Sequence, residues 1–255
     1  MEEYSFEPEN VRRSSKPITN ENANRANLSL AKVYLWFALG LLITGVVSLG
    51  LPNLLVLLTN NVEAETLANA YIAMIIVSAV LMLPSFIIIS VQAFRKNKGL
   101  ILTSYIIYAL CMGVLLSSLF LMLVGPGDGL NTICIAFLVT GGIFLLCGLV
   151  GFLTKKKNLS FLWPILLSVL LGVFAISIAN FFIGSSRIYW ITDFIIFGVM
   201  IIEVALDFHN VNKLADSGAF TDSSNLAIYC AFTLYVDFIY LFVKVLIYVL
   251  LSKRK

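Results

Sequence analysis

NLAIYCAFTLYVDFIYLFVKVLIYVLL, residues 225–251, is an aromatic and aliphatic run with a carboxylate, Asp237, near its middle and a lysine, Lys244, beyond it. In water Asp237 would need no explanation. In hydrocarbon an unpaired charge costs at least about 2.5–3.5 kcal/mol, so the solvent has to be settled first. Hydrophobic residues make up 60% of the 255 positions and charged residues 12%, with a mean hydropathy of +0.98. Soluble domains run at about 45–50% apolar and about 25% charged. The apolar residues also fall in blocks of about 20 or more, long enough for a helix to cross the roughly 30 Å hydrocarbon layer. The chain reads as an all-α, multi-pass membrane protein.

Seven spans follow from these blocks: Tyr34–Leu58, Leu67–Phe94, Leu100–Val124, Asn131–Leu153, Phe161–Ile183, Ile188–His209 and Asn225–Leu251. Residues 1–31 are polar and lack an apolar core, so they read as a disordered cytoplasmic tail and not as a cleavable signal. Residues 32–251 form the helical domain, and 252–255 a short basic tail. Arg95, Lys96 and Lys98 follow the second span and Lys155, Lys156 and Lys157 the fourth. Excess Lys/Arg marks the cytoplasmic side, which predicts an inside amino terminus and an outside carboxy terminus in the plasma membrane. Cys111, Cys134, Cys147 and Cys230 lie in apolar runs without metal-ligand spacing and read as packing residues. Pro84 predicts a kink in the second span. No nucleic-acid partner and no cofactor are expected.

The polar stretch NVNKLADSGAFTDSSN (210–225) need not be loop throughout. Helical propensity holds to about Ser217, Gly218 suits a left-handed C-cap, and Ser223 or Ser224 suits the next N-cap. Asp207 and Asp237 then both lie about 15–18 Å from the turn that joins their helices. Two carboxylates at one depth on antiparallel neighbours cannot both ionise cheaply, so the pair holds a proton and acts as a pH sensor. The bland alternative, a solvated carboxylate, is weakest for Asp237, stronger for Asp207 and strongest for Asp193 at the far end of the sixth span. Glu203 shares the face of Asp207 as an accessory acid. His209 projects about 200° from Asp207 and reads as an interfacial side chain, while Lys244 reads as snorkelling to the outer surface.

An enzyme is not expected. Intramembrane aspartyl proteases carry Gly-x-Gly-Asp, but Leu234, Tyr235 and Val236 precede Asp237. A serine nucleophile motif, a metal-ligand cluster and a phosphate loop are likewise missing from the sequence.

AIYCAFTLYVDFIYLF (227–242) resembles the last-helix signature of the Bax-inhibitor family, with its A-x-x-L-Y-x-D-x-x-x-L-F pattern. AFLVTGGIFLLCGLVGFLTKKKNLS (136–160) is similar to that family's fourth helix and basic exit, and IIFGVMIIEVALDFHNVNKL (195–214) to its sixth. The likeness spans about residues 32–251 and is strongest in the second half. It implies a bacterial-type seven-helix bundle with the last helix at the centre. It further implies a pH-sensitive calcium leak gated by the aspartates that map onto Asp207 and Asp237. Two carboxylates without a dedicated cage would hold Ca²⁺ only weakly. The chain departs from the pattern at Leu206, where a tyrosine is usual, and at Asn158, where an acid is common. It also lacks any Lys or Arg within Leu67–Phe94, where family members can carry an arginine latch. Some bacterial members are thought to modulate a membrane-bound protease, so the alternative role is a regulator that uses the amino tail as its handle. Deleting that tail would spoil a regulator and spare a channel.

Overall fold

A computed structural model describes residues 20–58, 63–93, 95, 97–124, 129–154, 156–217 and 224–253. Seven helices account for nearly all of them: α1 Asn20–Leu58, α2 Ala64–Gln92, α3 Lys98–Val124, α4 Gly129–Thr154, α5 Leu162–Ile183, α6 Ser186–Asp216 and α7 Ser224–Lys253. Six helices are long and apolar enough to cross a membrane, and α6 is not among them. It carries three carboxylates, Asp193, Glu203 and Asp207, along its apolar stretch.

Two expectations about helix limits are corrected or sharpened. The tail expected to be disordered as far as residue 31 is helical from Asn20. Once the apolar part of α1 has nucleated a helix, adding polar residues at its end needs no new nucleus. The sixth helix does run past the apolar block, to Asp216, with Ser217 as a right-handed cap. Gly218 and Ser223, the proposed caps, lie outside the described residues. The second helix continues through Pro84, and the Ser85 hydroxyl donates to the Leu81 carbonyl at 2.8 Å. Among the described residues, the turn between α5 and α6 is the one place where a glycine adopts positive φ. Gly184, at φ 69°, closes α5 by donating its N–H to the Asn180 carbonyl at 2.7 Å. Ser185 N–H then donates to the Asn180 side chain at 3.0 Å, so two residues suffice to reverse the chain.

α7 packs against α1, α2, α3, α4 and α6, whereas α5 rests on α6. Its buried face carries Phe232, Tyr235, Phe238 and Phe242, which meet Tyr105, Tyr108, Phe144 and Phe120 mostly edge to face. Such rings fill the space between helices while their edges meet the negative faces of their neighbours. Buried hydroxyls find partners too. Tyr235 Oη and Thr44 Oγ1 are 2.6 Å apart, and Thr44 donates to the Ala109 carbonyl at 3.0 Å, which ties α7, α1 and α3 together. At one end, Asn225 Nδ2 donates to the carbonyls of Gln92 and Arg95, fixing the start of α7 to the α2–α3 connection. The His209 ring bonds the main chain of Thr154, which brings the end of α6 to the α4–α5 connection. Arg95, Lys98, Lys156 and Lys157 therefore gather at one end, called here the basic end.

Candidate functional site

Asp237 and Asp207 lie on facing helices, and their carboxyls meet at hydrogen-bonding range. Asp237 is 6% exposed, and its Oδ2 is buried with no N–H or O–H reaching it. Its helix cannot place it elsewhere, because the flanking aromatic face holds α7 in register against α3 and α4. Asp207 stands nine residues before the end of α6, about 14 Å from it. Glu203, one turn earlier on the same helix, is close enough to act on both acids through its field. No lysine or arginine among the described residues neutralises the pair, and the cation-free second span agrees with that.

A cavity of about 560 Å³ lies between α5, α6 and α7. Ser217 and Leu226 line it at the basic end, and Asp207, Cys230 and Thr233 line its depth. Asp207 is in its wall, and Asp237 does not line it. Hard carboxylate oxygens suit Ca²⁺. Among the described residues no three His, Cys, Asp or Glu side chains converge to hold a metal ion.

Three of the accessory residues sit differently from their sequence reading. Asp193 is not a solvated carboxylate and Lys244 does not snorkel. The two form an ion pair between α6 and α7, with Lys244 at 20% and Asp193 at 12% side-chain exposure. Tyr248, which the sequence did not single out, donates its hydroxyl to Asp193 Oδ2 at 2.5 Å. Its ring stacks with Phe194 and Trp190, closing the group from the side. His209 does point away from Asp207 as its spacing requires. It is nevertheless 2% exposed and packed on α4, not interfacial. Gly151 makes this possible, since a Cβ there would lie 2.8 Å from both the Ala205 carbonyl and the His209 amide nitrogen.

The family model described as "Inhibitor of apoptosis-promoting Bax1" matches residues 26–255. The chain belongs to that family. The inner membrane protein YbhL of Escherichia coli strain K12 is 31% identical over 227 residues, covering 85% of this chain and 88% of its own. An uncharacterized protein of Borreliella burgdorferi is 27% identical over 227 residues, covering 86% of this chain and 90% of its own. An uncharacterized membrane protein of Streptococcus pyogenes serotype M3 is 28% identical over 154 residues, 60% of this chain and 65% of its own. The family member is thus a multi-pass membrane protein, in agreement with its six apolar spans.

Proposed function

We propose that this Bax-inhibitor family member is a pH-sensitive calcium leak, gated by a proton shared between Asp207 and Asp237. All seven helices cross the membrane in this reading, with α7 at the centre, the basic end in the cytoplasm and the carboxy terminus outside. The observation that carries it is the meeting of the two carboxyls in a buried setting with no lysine or arginine beside them among the described residues. Shared between them, a proton turns repulsion into attraction and stabilises the closed arrangement at low pH. That contribution is lost as pH rises and the second carboxylate appears. The exposed pair of charges then attracts a divalent cation along the cavity that ends at Asp207.

α6 supports its own place in the bundle despite its acids. It runs from the α5 turn at one end to the start of α7 at the other, and two of the three carboxylates along its apolar stretch, Asp193 and Asp207, face partners on α7. An intramembrane acid that faces the bundle interior is tolerated for this reason. The test is calcium flux through the purified protein in liposomes at about pH 6 and pH 8, with flux expected to be larger at the higher value. Flux that does not change with pH rejects the gate.

A further inference from the structure

A second cavity, of about 260 Å³, lies under the α4–α5 connection, lined by Ser160, Trp163, His209, Asn210 and Lys213 among others. His209 is buried, and its Nδ1 has no hydrogen-bond partner. With Nδ1 unpartnered, the ring's bond to the main chain of Thr154 falls to Nε2, which leaves Nδ1 of the neutral ring as a lone pair in want of a donor. Lys213, one turn along α6, is exposed and supplies a charged donor. The Ser160 hydroxyl and the Asn210 amide are exposed at the same cavity and can give or accept. α5 begins beside them with no side chain capping its N-terminus, so the positive end of a 22-residue helix faces the site.

A ligand that satisfies this set needs an anion for Lys213 and, next to it, an O–H for Nδ1. A phosphodiester without a hydroxyl brings only acceptors and leaves Nδ1 unpaired. A headgroup with an ammonium brings donors but sets a cation near Lys213. We propose that this cavity binds the headgroup of an anionic phospholipid whose phosphodiester carries a hydroxylated glycerol, as in phosphatidylglycerol. The place suits a lipid. Trp163 is 58% exposed at the rim, as amphipathic rings are at the headgroup level, and Lys156 and Lys157 add positive charge at the same end. The inference does not depend on the proton gate.

Native mass spectrometry of the full chain, released from mixed micelles, counts the lipid that stays bound. Wild type should keep one phosphatidylglycerol in preference to phosphatidylethanolamine, phosphatidylcholine and phosphatidylmethanol. Lys213→Gln should lower that retention about tenfold, the worth of one hydrogen bond to a charged group, and Lys213→Arg should keep it. Lys213 is exposed, so an unchanged unfolding temperature will confirm that the variant folds. Equal retention of phosphatidylmethanol, a phosphodiester without that hydroxyl, removes the role given to His209. Undiminished preference in Lys213→Gln removes the site. Displacement of the lipid by millimolar glycerol phosphate or inorganic phosphate assigns the cavity to a soluble anion and overturns the lipid.

Discussion

Asp237→Asn is the sharpest test of the gate, because asparagine copies the shape of a protonated aspartate and cannot ionise. In the wild type, removing the shared proton leaves two carboxylates at hydrogen-bonding range in a buried setting. At a separation of about 4 Å and an effective dielectric of 20, two unit charges repel by about 4 kcal/mol. That is nearly three decades in an equilibrium constant, at about 1.4 kcal/mol per decade. Moving a population from 1:99 to 99:1 takes about 5.5 kcal/mol, so the repulsion supplies most of a switch. In the Asp237→Asn variant the repulsion never develops, and half of the cation-attracting charge is gone. Calcium entry into liposomes, measured from about pH 6 to 8, should rise with pH for the wild type and stay flat and low for the variant. Asp207→Asn should behave alike, because the proton belongs to the pair. Glu203→Gln should move the midpoint and keep the slope, since Glu203 acts by its field. A substituted pair that keeps the wild-type slope would refute the reasoning and leave the two aspartates structural.

Lys244→Met removes the cation facing Asp193 but leaves the Tyr248 hydroxyl, and should cost about 1–3 kcal/mol of stability in detergent unfolding. This is less than the roughly 3–5 kcal/mol of a fully buried pair, because both side chains keep some exposure. Adding Asp193→Asn should recover part of the loss, and strictly additive effects would deny the coupling. Gly151→Ala should destabilise by about 1–3 kcal/mol, since the new Cβ meets the main chain of α6, which cannot swing aside. Unchanged thermal unfolding would show that α4 and α6 are less tightly packed than this. Single cysteines at Asn158 and Ser185, in a background without the native four, should label from opposite sides of the membrane. Labelling from one side would show that α5 does not cross the bilayer and reject the seven-span arrangement.

The helices were legible because each apolar block is long enough to span hydrocarbon, and nothing but a helix satisfies its backbone there. The reach of α6 to Asp216 was legible for a local reason, the helical propensity of Lys213, Leu214 and Ala215. Asp207 and Asp237 could be paired because a short connection makes neighbours of their helices. What stayed hidden depended on pairs of distant residues. Asp193 and Lys244 are 51 positions apart, and judged singly each looked like a group near water. Tyr248 is one aromatic among many, and only its hydroxyl's partner distinguishes it. The periodicity that turns His209 away from Asp207 could not tell what lies on the other side. That depended on Gly151, whose missing side chain lets α4 close over the ring.

The two contacts between α6 and α7 differ in sign, and the difference bears on how a gate could move. Asp193, Lys244 and Tyr248 join the helices by attraction, and this group stands toward the end away from the basic loops. Asp207 and Asp237 meet nearer the basic end, fourteen residues from Asp193 along α6, or about 21 Å of helix, and seven residues from Lys244 along α7. Ionisation weakens the second contact and leaves the first intact, because a deprotonated pair adds nothing that competes for Lys244. Repulsion at the aspartates therefore acts on helices still held toward their far ends, and separates them most at the basic end. The cavity that has Asp207 in its wall lies on that side. A uniform parting of α6 from α7 would instead have to break the ion pair, the Tyr248 hydrogen bond and the stacked rings together. On these grounds the proposed gate would open at lower energy by tilt about the Asp193 contact. Lys244→Met should then loosen the closed state without flattening its pH response.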